Sequence, residues 1–141
     1  MTRKIADEIR EEIRRRANLL CEYCHTNERW QYVRFTVDHI NPNGENFPEN
    51  LALACFHCNR RKSDKTIAFD PETGEIAEIF NPRKHIWKDH FDWSADGLRI
   101  VAKTSIGRAT AELLELNRER ILFIREADVV VSRHPPIEDL N

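Results

Sequence analysis

The sequence predicts a single α+β domain over residues 1–141, and three observations predict it. A helical period opens the chain. A strand–loop–strand–helix order follows, bounded by two Cys-x-x-Cys pairs that hold all four cysteines. A turn-centred hairpin and two further helical stretches complete the chain.

Residues 3 to 18 read as an amphipathic helix, because Ile5, Ile9 and Ile13 recur every fourth position, with Ala6 and Ala17 on the same side. Asp7 and Glu8 near its start and Arg14 to Arg16 near its end suit the helix dipole. The arginine run reads as a solvated helix end ahead of a phosphate-contacting patch. Residues 19–24 form the first cysteine knuckle, and 25–31 are loop-like. Residues 32–40 alternate and are rich in β-branched and aromatic types, a strand signal. Asn41-Pro-Asn-Gly44 is a turn. Asn50 to Ala54 reads as a short returning strand and 56–65 as a short basic helix, a ββα unit with the cysteine pairs at its two ends.

Asp70-Pro-Glu-Thr-Gly74 turns a β-hairpin over 66–80. Trp87, Phe91 and Trp93 read as core residues of a short helix or turn over 83–93. A strand runs from Asp96-Gly97 to Ala102. Thr104 caps a helix to about Leu116, and a last helix of roughly 15 residues starts at Asn117. The Pro135-Pro136 tail, 135–141, reads as frayed.

Hydrophobic residues make up 40% and charged residues 33%, a globular, rather polar composition. The longest apolar runs, such as Ile121-Leu-Phe-Ile124, fall far short of the ~20 residues of a membrane helix. No apolar leader core precedes the first helix, so the cytosol is the expected compartment. Paired cysteines there bind metal more often than they form disulfides. The formal net charge of −2 argues against a protein that coats nucleic acid, but local distribution matters more. Between His57 and Lys65 the charges are Arg60, Arg61, Lys62 and Lys65 against Asp64.

Cys21, Cys24, Cys55 and Cys58 suit a tetrahedral thiolate cage for a structural Zn²⁺. Thirty residues separate the pairs, more than the ~15–20 of a common zinc ribbon, and a hairpin with its loop would fill that gap. His25 and His57 adjoin cysteines and are alternative ligands, read as bystanders beside four thiolates. A zinc closed by four sulfurs has no open position, so chemistry falls to Asp38, His39, Asn50 and Asn59. Adjacent strand residues point to opposite sides. Asp38 therefore suits a hard divalent cation, and His39 a general base, a free imidazole titrating near ~6.5. Asn59 could reach the same cation through its amide oxygen. His85, His90 and His134 read as packing or surface residues.

The string Cys21-x-x-Cys24, Asp38-His39-Ile40, Asn50-Leu51, Cys55-x-x-Cys58-Asn59-x-x-Lys62 resembles the HNH endonuclease family in its zinc-stapled branch, over about residues 14 to 65. The resemblance implies a ββα-metal (His-Me finger) core, with 66–134 as a C-terminal extension. It implies His39 as general base, Asp38 as metal ligand, and Asn50 as the residue that holds the hairpin loop and helps orient the base. Asn59 stands where a His is commoner, which makes this an HNN version and favours Mg²⁺ or Mn²⁺ over softer metals. The implied activity is hydrolysis of DNA phosphodiesters, nicking included, with Arg60, Arg61, Lys62 and Lys65 on flanking phosphates. RNA as substrate, oligomeric state and sequence specificity stay open. The rival readings are a non-catalytic zinc module that binds nucleic acid or protein, and a degenerate, silent nuclease.

Overall fold

A computed structural model describes residues 4–140. The chain divides into two compact units. One comprises the chain up to Thr66 together with Asn81–His85, the other Ile67–Phe80 and the chain from Ile86 onward.

In the first unit, helix α1 spans Asp7–Arg16, inside the predicted stretch, of which position 3 lies outside the described residues. Ile13 is fully buried and α1 packs on strand β2, Leu51–Ala54. Asn18 and Leu19 then take left-handed φ values of 53° and 61°, which ends the helix and turns the chain into the first knuckle. The arginine run is not simply a solvated end. Arg14 pairs with Glu28 and donates to the Phe35 carbonyl at 2.8 Å. Arg16 donates to the carbonyls of Pro48 at 3.0 Å and Leu51 at 2.7 Å.

Strand β1, Thr36–His39, pairs antiparallel with β2, from Thr36 opposite Ala54 to His39 opposite Leu51. The strand predicted from residue 32 starts four residues later because β2 ends at Ala54 and offers no partner to Tyr32–Arg34. Helix α2, Phe56–Lys62, follows β2 directly. This gives a mixed α+β arrangement with a ββα order, the first cysteine pair preceding β1 and the second at the start of α2. All four β2 residues are buried.

In the second unit, β3 (Ile67–Phe69) and β4 (Ile76–Glu78) form the predicted hairpin. Asp70 shapes its turn by accepting from the Glu72 amide at 2.8 Å. The Arg108 guanidinium on Asp70 holds that carboxyl down at about 2. Helix α3 (Trp87–His90) runs into β5 (Phe91–Trp93), which pairs with β6 (Ile100–Ala102). Strand β5 is absent from the sequence reading, since its three residues are too few to show alternation. Trp87 and Phe91 are buried as read, with ring centroids 5.2 Å apart. Thr104 caps α4 (Ser105–Leu114) by accepting from the Gly107 amide at 3.0 Å.

Helix α5 spans Glu119–Val130. Asn117 lies before it and clasps Ile100 through two 2.8 Å bonds, one in each direction. The tail expected to fray is tied down. Asp139 is buried and accepts from Trp93 Nε1 at 2.9 Å. Among the described residues no helix is long and apolar enough to cross a membrane.

The Thr110 hydroxyl, fully buried on α4, accepts from the Phe80 amide at 2.8 Å. Thr110→Val keeps the shape and orphans that N–H, so urea denaturation should find the variant less stable by about 1–3 kcal/mol. Thr110→Ser, which keeps the acceptor, should lose only about the worth of one methyl group.

Candidate functional site

The four cysteines are buried, and their sulfurs lie within 4.8 Å of one another. Local backbone geometry brings each pair in. In the first knuckle the Cys21 amide donates to the Thr26 carbonyl at 2.9 Å and the His25 amide to the Cys21 carbonyl at 2.8 Å, with His25 at φ 60°. In the second, Cys55 caps α2 and its sulfur accepts from the Cys58 amide at 3.4 Å. The knuckles meet because Glu22 docks on β2. Its amide donates to the Leu53 carbonyl at 2.8 Å, and its carboxylate accepts from the Leu53 amide at 2.8 Å. Arg83, from the returning segment Asn81–His85, pairs with the other Glu22 oxygen. A tetrahedron of ~2.3 Å Zn–S bonds has edges of roughly 3.8 Å, and the Cys24 and Cys55 sulfurs are 3.8 Å apart. Burial pushes the Cys21 thiol well up, whereas hydrogen bonds from neighbouring thiols hold Cys24 well down. The donor set fits one tetrahedral thiophilic ion, and among the described residues it is the one cluster of three or more such side chains. His25 and His57 stand outside it.

Asp38 and His39 close strand β1. Asp38 is buried. Its Oδ2 meets Lys62 Nζ at 3.2 Å and accepts from the Tyr23 hydroxyl at 3.4 Å. Burial raises the Asp38 carboxyl, and the Lys62 charge works against that rise. Lys62 was read as a phosphate contact, and its position corrects that reading. It is 2% exposed, and its ammonium also donates to the His39 carbonyl at 3.1 Å. The last turn of α2 points it inward while Arg60, Arg61 and Lys65 stay exposed. Hard divalent ions prefer carboxylate and amide oxygens. Asp38 and the half-buried Asn59 offer oxygens of that kind, and both contacts on the Asp38 carboxylate fall on Oδ2.

His39 is half-buried, with Nε2 2.6 Å from Asn46 Oδ1. Asn46 Nδ2 donates to the Lys4 carbonyl at 3.0 Å, which turns the amide so that its oxygen faces the imidazole. An acceptor there requires hydrogen on Nε2 and leaves Nδ1 as the basic nitrogen. Sequence reading passed over Asn46, which carries no motif signal among the loop's many asparagines.

Asn50 staples the loop between the strands. Its Oδ1 accepts from the Asn41 amide at 2.9 Å, and its Nδ2 donates to the carbonyls of Asn41 at 3.0 Å and Glu45 at 3.1 Å. Gly44 is there for room, since a Cβ on it would sit 2.5 Å from Asn50 Nδ2.

Zinc analysis of purified protein should find one ion per chain, and Cys58→Ser should lose it together with the far-UV signature of the folded unit. Lys62→Met leaves Asp38 buried with no counter-charge and should cost about 3–5 kcal/mol in urea unfolding at constant zinc. Asp38→Asn combined with Lys62→Met should recover much of that loss.

Among known proteins, residues 19–65 match the family model described as HNH endonuclease. No curated protein and no solved structure matches the chain. The matched segment holds both knuckles, β1, the Asn50 loop, β2 and α2. Residues 19–65 therefore match a partial HNH endonuclease domain, with a four-cysteine cluster consistent with the zinc-stapled HNN form.

Proposed function

We propose that the protein is a metal-dependent DNA endonuclease that hydrolyses phosphodiester bonds at the end of β1. One observation carries the reading. Within the HNH segment, His39 sits beside a buried carboxylate, with Nε2 held against an oriented amide oxygen.

A Mg²⁺ or Mn²⁺ ion held by Asp38 and Asn59 would supply Lewis-acid stabilisation of the charge that develops on the scissile phosphate and its leaving oxygen. His39 takes the proton of the attacking water at Nδ1. Asn46 holds the imidazole in the tautomer that makes Nδ1 basic. Asn50 fixes the loop from which Asn46 projects. Arg60, Arg61 and Lys65 meet flanking phosphates, which makes affinity fall with salt. Lys62 serves instead as counter-ion to Asp38. One such centre per chain nicks one strand per event. Residues 66–134 extend the core within one nuclease.

A second reading, a folded but silent nuclease, draws on the same Lys62, which already neutralises the carboxylate that a divalent ion would use. Supercoiled-plasmid cleavage with Mg²⁺ or Mn²⁺ separates the two. Zinc-loaded wild type should convert plasmid to nicked circles. His39→Ala, matched for zinc content and circular dichroism, should lose about 10²- to 10⁴-fold in rate. Asn46→Ala should lose about 10- to 100-fold. An inert wild type across both metals would leave the silent reading. Equal cutting by wild type and His39→Ala would remove His39 as base.

A further inference from the structure

Residues 29–34, Arg-Trp-Gln-Tyr-Val-Arg, link the first knuckle to β1, as the end of a 3-10 turn (Glu28–Trp30) followed by a short loop. Both ends are locked. At its base Glu28 accepts from the Phe35 amide and pairs with Arg14, which also donates to the Phe35 carbonyl. Phe35 itself is buried. Between these anchors the side chains face outward. Trp30 is 42% exposed, Tyr32 103% and Val33 57%; Arg34 is exposed, and so is Arg29, whose guanidinium also donates to the Asn18 carbonyl at 3.4 Å and to Asn18 Oδ1 at 3.3 Å.

The Tyr32 ring, fully exposed on a pinned loop, forgoes the burial that normally stabilises it, and Trp30 beside it keeps part of its ring in water. Within the loop the charged residues, Arg29 and Arg34, are both positive. No acidic residue lies within 29–34, and the Glu28 carboxylate at the base is already neutralised by Arg14. Aromatic faces interleaved with arginines are the chemistry of a strand-binding surface, with rings stacking on bases and guanidiniums meeting phosphates. Arg34 precedes Asp38 by four residues, at most ~13 Å of extended chain.

We infer that the clamped loop 29–34 is a nucleic-acid-binding element that stacks Tyr32 and Trp30 on unpaired bases and sets Arg29 and Arg34 on the adjoining phosphates. The inference rests on the nuclease reading for its ligand class. It adds a contact surface separate from the basic residues of α2. Because the base is locked by Glu28, Arg14 and Phe35, the loop is ordered before the strand arrives, which limits the entropy lost on binding.

The test is fluorescence anisotropy with full-length, zinc-loaded protein carrying His39→Ala to prevent cutting. The probes are a labelled single-stranded 20-mer of DNA and its duplex. Adding Trp30→Ala and Tyr32→Ala together should weaken single-strand binding about 5- to 100-fold, more than duplex binding. Tyr32→Phe should bind like the parent. Adding Arg29→Ala and Arg34→Ala should flatten the dependence of log affinity on log salt by about 1.4 on the single strand. These side chains are exposed, so zinc content and circular dichroism should be unchanged. Single-strand binding by the double aromatic variant within twofold of the parent overturns the inference and leaves the loop to a protein partner. No binding of either probe by the parent also overturns it. Plasmid cleavage by the wild type judges the nuclease reading separately.

Discussion

Four buried sulfurs within 4.8 Å of one another set the terms for the first unit. Burial opposes a thiolate at Cys21, and a tetrahedral ion turns the same crowding into bonds. The unit needs such a centre. Its sheet has two strands of four residues each, and a lone two-stranded sheet is marginal in water. Both knuckles clamp that sheet at the C-terminal end of β2, through Glu22 on Leu53 and through Cys55 at the start of α2. The position of Asp38 and His39 is therefore inherited from the cysteines, although neither residue touches them.

The polar groups beyond that cluster are arranged by charge neutralisation rather than by exposure. A carboxylate inside a small core demands a partner, and Lys62 supplies it from the last turn of α2. The same residue fixes α2 against β1 through the His39 carbonyl. The helix thus has two jobs on two faces, an inward ammonium for the strand end and outward guanidiniums for solvent or ligand.

The elements that carry local signals were legible in the sequence. The Asp70–Gly74 turn, the Thr104 cap and the cysteine knuckles each announce themselves through residues within a few positions of one another. Features decided by distant partners were not. Strand β1 starts at Thr36 because β2 ends at Ala54. Lys62 looked like a member of a basic run, yet helical phase alone turned it inward. Asn46 gained its place from the carbonyl of Lys4, 42 residues away. Arg125, inside an apolar-looking helix, is buried and donates to the carbonyls of Leu98 and Leu116, a bonding pattern no periodicity reveals. The tail is held by Asp139 on Trp93, again a partner far off in sequence.

The route of the chain has a consequence for where a working fragment can end. It leaves the first unit at Thr66, forms the β3–β4 hairpin in the second, and returns for Asn81–His85 before leaving again. That return delivers Arg83 to Glu22, the residue that docks the first knuckle. The family match stops at Lys65, but the electrostatics of the first cysteine knuckle do not. A piece cut at the motif boundary strands the half-buried Glu22 carboxylate beside the cysteine cluster. The first unit therefore runs on to His85, and a cut anywhere between 66 and 80 takes Arg83 away from Glu22.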